Sequence, residues 1–267
     1  MFLALPISVF LIFLALQVTI LLIFFKAFTG NKQSNSCATH PVSVVIAARN
    51  ELDNLKLLLP KLYNQNHYNY EIIIVDDRSD DDTYDFLYEE KKTQLLLKVV
   101  TVKDTPNKMN PKKYALTLGI KAANNDIILL TDADCLPENE EWIQSMSSNF
   151  KNASTEINLG ISVYQKQKGF LNAFIRFETL STAIQYIGLA LTGMPYMGVG
   201  RNLAYKKELF LKNKGFNSHI DITGGDDDLF VNKHGNNKNT AVSLSKSALT
   251  NSIPKQTWAD FFRQKLR

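Results

Sequence analysis

Cysteine is scarce. Cys37 and Cys135 are the only two in 267 residues, too few for a disulfide framework and in no spacing that a zinc site uses. That excludes a cystine-stapled secreted domain and suits a reducing, cytosolic setting for the folded part. An excess of one charge sign is lacking too. The formal balance is only +4, with lysines and arginines scattered singly or in pairs, so no basic stripe is available for nucleic acid. No internal repeat or low-complexity tract occurs. With 45% hydrophobic and 21% charged residues, the composition excludes a disordered chain.

Charge is absent altogether from Phe2 to Phe25. At about 1.5 Å per helical residue, about 20 apolar residues cross a bilayer core, so residues 1–28 read as one N-terminal transmembrane anchor. A secretory signal would show a charged start, a shorter apolar core and a small-residue cleavage site, none of which is present. The first positive charges, Lys26 and Lys32, follow the run. The bias of basic residues toward the cytoplasm places the rest of the chain inside the cell. Residues 29–40 are polar and turn-rich and form a linker; residues 41–267 form the folded domain.

In that domain strands alternate with helices. Val42–Ala48, Glu71–Asp77, Leu95–Val102 and Asp126–Asp132 read as strands, with helices over Leu52–Tyr63, Thr83–Lys92 and Lys113–Ala123. This order predicts an α/β fold with a mostly parallel central sheet. Further on, Glu141–Phe150 reads as a helix and Ile157–Gln165 as a strand. Phe170–Leu191 is a long aromatic and aliphatic segment, charged only at Arg176 and Glu178. Such a segment packs under a sheet or lies on a membrane surface, and the interfacial role is the one expected here.

Three acidic clusters follow these elements. In DDRSDDDT (Asp76–Thr83), Asp80, Asp81 and Asp82 suit the N-terminus of the following helix. Asp76 and Asp77 stand at the strand end, where a carboxylate can accept hydrogen bonds from a base or a ribose. A calcium loop would need a central glycine and a closing glutamate, and both are missing. In TDADC (Thr131–Cys135), two acids at i and i+2 on extended backbone point the same way and can address one hard cation, Mg2+ or Mn2+, together with substrate phosphates. The bland alternative is a solvated acidic turn. In ITGGDDDLFVNK (Ile222–Lys233), glycines allow close backbone approach and an acid beside them can serve as a general base, while Asp228 suits the first turn of the next helix. Three adjacent acids repel, so at least one titrates abnormally or faces a cation.

In this order, AARNE (Ala47–Glu51), VDDRSDDDT, TDADC, GGDDDL and the closing FRQKLR resemble the inverting family 2 glycosyltransferases of GT-A fold. The resemblance covers the chain from about His40. It implies a nucleotide-binding half over about 41–136 and an acceptor half over about 137–267. Ala47, Arg49 and Glu51 would border the nucleotide, Asp76 and Asp77 would bind its base, and Lys112, matching the lysine of K-x-x-A-L, would contact the diphosphate. Asp132 and Asp134 match the D-x-D pair holding cation and diphosphate. Aligning GGDDDL with G-E-D-x-D-L puts the base at Asp226; Gly225 replaces the expected glutamate, which leaves Asp227 open as the alternative. Arg201 and Asn202 in GVGRNLAY fall in a loop that touches acceptor or diphosphate, against the plain reading of a glycine turn before a strand. Gln264 and Arg267 match the start of Q-x-x-R-W. The tryptophan position lies past the last residue, so a truncated member is expected.

The resemblance implies transfer of a sugar from a nucleotide-sugar donor, a UDP-sugar favoured, to a glycan or lipid hydroxyl in glycolipid or polysaccharide synthesis. A membrane-tethered nucleotide-sugar-binding module without catalysis is the alternative. A metal-dependent phosphohydrolase would show a threonine two residues beyond the second acid of D-x-D, where Leu136 stands.

Overall fold

A computed structural model describes residues 4–31, 40–106, 109–217, 222 and 224–266. Helix α1 (Ala4–Gly30) precedes β1 (Val42–Ala48), α2 (Leu52–Tyr63), β2 (Tyr70–Asp76), α3 (Thr83–Thr93), β3 (Leu97–Thr101), α4 (Pro111–Ala122), β4 (Ile127–Leu130) and β5 (Cys135–Pro137). Then follow α5 (Trp142–Ser147), β6 (Ile157–Leu159), β7 (Ser162–Tyr164), α6 (Phe170–Leu191), β8 (Leu203–Lys206), α7 (Lys207–Lys212), α8 (Asp228–His234), β9 (Thr240–Val242), β10 (Thr250–Ser252) and α9 (Trp258–Lys265).

Seven strands form the main sheet in the order β3-β2-β1-β4-β8-β6-β9. The pairs β1–β2, β1–β4, β2–β3 and β6–β9 are parallel, while β8 runs antiparallel to both β4 and β6. The sheet is therefore mostly parallel, as the alternation of strands and helices predicts. Successive strand residues face opposite layers. Val45, Ile73, Val75, Ile128 and Leu130 pack with α4, α6 and α8 on one side. Val44, Ile46, Ile72, Ile74 and Leu129 pack with α2 and α5 on the other. Each fully buried aliphatic side chain contributes about 1.5–3 kcal/mol of transfer free energy, so stability concentrates here and the strand ends are left for polar loops. Helix α4 lies close on the sheet because Gly119 has no side chain: a Cβ there would come within 2.6 Å of Val45 and 2.8 Å of Val75.

Two expected elements divide. The helix at Glu141–Phe150 is α5 followed by a 3-10 turn at Ser148–Lys151. The strand at Ile157–Gln165 breaks after Leu159, so that β6 stays in the main sheet and β7 joins β5 and β10 in a small second sheet. The break has a packing cause. Gly160 presses on Asn202, where a Cβ would meet the amide carbon at 2.5 Å; Tyr186 Oη donates to the Gly160 carbonyl at 2.7 Å, and Asn202 Nδ2 donates to that of Ile161 at 2.8 Å.

The long apolar segment is the 22-residue helix α6. One stripe, including Ile175, Ala183 and Ile187, is buried, while Phe170, Phe177 and Leu180 are exposed. It therefore does pack under the sheet, and the stripe left open is the part that an interfacial role would use. Helix α1 is long and apolar enough to cross a membrane over Ile7–Gly30. Its C-terminal end meets the domain, with the Phe24 ring against Gly188 and Phe28 on the core.

Candidate functional site

Parallel strands bring their C-terminal ends to one edge of the sheet, and the loops after β1, β2 and β4 meet there. The first two loops are sewn together. Asp77 N donates to Ala48 O at 2.8 Å, Asn50 N to Ser79 Oγ at 3.0 Å, Asp80 N to Asn50 Oδ1 at 2.7 Å, and Glu51 N to Thr83 Oγ1 at 3.1 Å. Asn50 and Arg78 take the left-handed backbone conformation, φ 56° and 57°, that these sharp turns require. Asp76 and Asp77 are buried at the rim. Asp76 Oδ1 accepts Ser79 Oγ at 2.5 Å and Asp77 Oδ1 accepts Arg78 Nε at 2.9 Å. Arg49 is exposed, 3.8 Å from Asp80, and Ala47 is a strand residue paired with Val75. Among Asp80–Asp82 it is Asp81 that caps, accepting Thr83 N at 3.1 Å; Asp82, at the N-cap position, makes no such bond.

Asp132 and Asp134 follow β4 on a turn, closed by Cys135 N donating to Asp132 O at 3.1 Å, and not on extended backbone as the strand pattern predicts. The turn still converges them: ligand atoms of Asp132, Asp134 and Cys135 lie within 4.8 Å of one another. Burial and then the Asp132 charge raise the pKa of Asp134. Burial, followed by both acids, pushes the Cys135 thiol well up, and it donates to Asp134 Oδ1 at 3.2 Å. Glu51 faces the same acids: burial foremost, with Asp134 and Asp132 adding, raises its pKa although Asn54 Nδ2 donates to it at 2.5 Å.

Helix α4 supplies the opposing cation. Asn110 caps it, accepting Lys113 N at 3.2 Å, and Pro111 begins it, so Lys112 stands at its mouth. Lys112 Nζ lies 3.0 Å from Asp132 Oδ1 and 3.5 Å from Asp226 Oδ2. Burial opposes the lysine charge, but Asp132, Asp226 and Asp227 outweigh it and raise its pKa well above the usual value. Conversely, burial opposes ionisation of Asp132, yet Lys112 draws its carboxyl below the usual range. Lys113, the next residue, turns the other way: it is buried, and its Nζ donates to Ile222 O at 2.9 Å.

The three adjacent acids before α8 differ sharply in surroundings. Asp226 is buried, and among the described residues nothing donates a hydrogen bond to its Oδ2. Asp227 is the N-cap of α8, with Oδ1 accepting Asp228 N at 2.8 Å and Oδ2 accepting Gly200 N at 2.6 Å. Burial, then the Asp226 charge, pushes its carboxyl up to about 6. Asp228 lies in the first turn of α8, as expected.

Arg201 reaches the same space. Nη1 donates to Ser252 Oγ at 3.1 Å, the guanidinium covers the Tyr164 ring at 4.8 Å, and Asp132 and Asp134 are among the charges acting on it. Asn202 does not. It is fully buried, accepting Trp142 Nε1 at 3.1 Å and donating to Ile161 O and Ala248 O at 2.8 and 2.7 Å. The expected ligand contact is thereby corrected: both amide hydrogens and the amide oxygen are engaged inside the domain. Gln264 Nε2 donates to Tyr164 Oη at 3.3 Å; Arg267 lies outside the described residues. Tyr164, Ser252 and Lys255, the last of which acts by its charge on Glu51 and Asp134, carry no local sequence signal, because they belong to short strands and a connecting loop brought over by the small sheet.

The site suits a divalent cation on its own chemistry: two carboxylates converge, and burial with the Asp132 charge holds the Asp134 carboxyl above its usual range.

The family model described as glycosyl transferase family 2 matches residues 43–214, more than half of the chain. The sequence is 26% identical over 236 residues to a probable glycosyltransferase, YdaM, of Bacillus subtilis (strain 168), covering 85% of this chain and 54% of that one. The chain thus spans about half the length of that relative. Among solved structures, the mannosyltransferase PcManGT from Pyrobaculum calidifontis, in complex with GDP-Man and Mn2+, superposes with a TM-score of 0.70 at 18% identity, over 92% of this chain and 68% of that one. The S. aureus TarS fragment 1-349 with UDP-GlcNAc superposes with a TM-score of 0.57 at 18% identity, over 81% and 59%. These likenesses agree in the fold, an α/β GT-A architecture.

Proposed function

The chain belongs to glycosyl transferase family 2, and we propose that it is an inverting glycosyltransferase, anchored by α1 with its folded domain on the cytoplasmic side, that moves a sugar from a nucleotide-sugar donor to a hydroxyl of a glycan or lipid. The observation that carries this reading is one line of charge: Asp226 Oδ2, buried and without a hydrogen bond, 3.5 Å from Lys112 Nζ, which is 3.0 Å from Asp132 Oδ1. An acid suited to act as the base, a cation and a metal-type carboxylate would thus stand side by side beyond the C-terminal ends of the parallel strands.

The nucleoside would lie along the rim made by Ala47, Arg49, Glu51, Asp76 and Asp77. A carboxylate there can accept a ring N–H of the base, and a UDP-sugar is the favoured donor. Lys112 and Arg201 would face the diphosphate, with Gln264 beside them on α9. Asp132 and Asp134 would hold Mg2+ or Mn2+, which supplies positive charge where negative charge grows on the leaving diphosphate. Asp226 would take the proton of the acceptor hydroxyl as that oxygen attacks the anomeric carbon from the face opposite the diphosphate, which inverts the configuration. Asp227 is the weaker choice for this task, because two backbone N–H groups already occupy its oxygens.

The test is a thermal-stability screen of the full chain against UDP- and GDP-sugars, each with and without Mn2+. A ligand that binds only the folded state stabilises it by about 2.7 kcal/mol at a hundredfold excess over Kd. A nucleotide sugar should raise Tm in a cation-dependent manner; no response to any of them would refute the reading.

A further inference from the structure

We propose that the exposed apolar face shared by α6 and α9 lies in the headgroup boundary of the bilayer that α1 enters, so that the domain is held against the membrane by a second contact besides its anchor. The inference rests on the reading of α1 as a membrane span.

At 100° per residue, Phe170, Phe174, Phe177, Leu180 and Ile184 fall on one side of α6, within an arc of about 120°. All five are exposed, Phe170 and Phe177 to 77% and 70%. Gly188 continues the same arc by one turn, and it is the seat of α1, where a Cβ would meet the Phe24 ring at 2.8 Å. The apolar stripe therefore runs without a change of face into the end of the apolar helix. Whatever medium surrounds α1 beyond Phe24 begins where this stripe lies.

Helix α9 widens the face at the far end of α6. Trp258 lies 5.5 Å from Phe174 and 6.2 Å from Phe170, ring centroid to ring centroid, and Lys265 Nζ pairs with Glu178 Oε1 at 2.7 Å to fix α9 on α6. Phe261 turns inward, whereas Trp258, Phe262 and Leu266, spaced by four, stay exposed to 40%, 55% and 88%. Large apolar faces of this kind mark contact surfaces. Aromatic side chains with lysine and arginine around them suit the boundary between headgroups and acyl chains, where rings are half solvated and cations meet anionic lipid. Lys166, Lys168 and Arg176 are exposed at that border, and the acids nearby, Glu178 and Asp260, are paired with Lys265 and Arg263.

Tryptophan offers the test, since the chain has two, Trp142 fully buried and Trp258 at the face. The full chain is reconstituted into vesicles of neutral and anionic phospholipid whose acyl chains are brominated near the headgroup end. Part of the emission should be quenched by the brominated lipid, and that part should vanish in Trp258→Phe. Phe177→Trp should add a second quenchable component, which guards against misfolding of the first variant. Emission of Trp258 untouched by brominated lipid but quenched by aqueous iodide would overturn the proposal, because the face would be in water. Resistance to both quenchers, growing with the ratio of protein to lipid, would overturn it in favour of a second copy of the chain. Release of the chain from vesicles by alkaline carbonate would remove the span itself. The readout needs no donor sugar, so it stands or falls separately from the transfer reaction.

Discussion

The carboxylate of Asp227 accepts the backbone N–H of Gly200 at 2.6 Å, clasping the start of α8 to the loop ahead of β8. Its other oxygen caps α8. Asp226, one residue earlier, receives no hydrogen bond at Oδ2 from the described residues and lies there 3.5 Å from Lys112 Nζ. Two neighbours of identical chemistry thus have different surroundings.

Asp226→Asn should lower sugar transfer by about 10²–10⁴-fold, the usual contribution of a positioned base, while donor affinity stays near that of the parent chain. Release of nucleoside diphosphate in the presence of an acceptor measures the first, and calorimetric titration of the donor the second. Asp227→Asn should instead lower Tm, since the amide turns an N–H donor toward one of the two backbone N–H groups, a loss that outweighs relief of the burial that pushes the carboxyl up to about 6.

Asp134 gives a prediction with opposite signs in two conditions. Its folded pKa is raised above 3.8 by burial and by Asp132, so the stability present below pH 3.8 is lost as pH rises through the folded value. Asp134→Asn removes that loss and should raise Tm at pH 7 without cation. It should also abolish the additional rise produced by Mn2+ with a nucleoside diphosphate, and chelation should do the same in the parent chain.

Asn202→Ala should destabilise the chain by about 3 kcal/mol, because Trp142 Nε1 and the carbonyls of Ile161 and Ala248 would be left buried with partners removed. Arg201→Ala, its neighbour, should weaken donor binding with a smaller effect on stability. Denaturant unfolding in detergent and donor titration separate the two, and equal stability losses would contradict the division of roles.

His67 carries a pH dependence away from the cleft. Burial lowers its pKa from 6.5, only partly offset by the contact of Nε2 with His40 O at 3.0 Å. Below pH 6.5 the unfolded chain takes up the proton first, so stability falls with pH until the folded value is reached. His67→Gln should flatten that part of the Tm profile and leave values above pH 7 nearly parallel to those of the parent.

The alternation of apolar runs and turn residues along the sequence was enough to place β1 to β4, their mostly parallel direction and the acids that end or follow them. Strand and helix periodicities are local properties, and a strand buried on both faces must end where polar residues begin. Division of the 157–165 segment between two sheets, the inward turn of Asn202, and the contrast between Asp226 and Asp227 were decided by tertiary structure. Each depends on a partner far along the chain, Asn202 for Gly160, Trp142 for Asn202 and Gly200 for Asp227. The open stripe of α6 belongs with these. A helix apolar on most of its surface carries no mark of which side will meet the sheet, and the side left over is defined only once the sheet has taken its share.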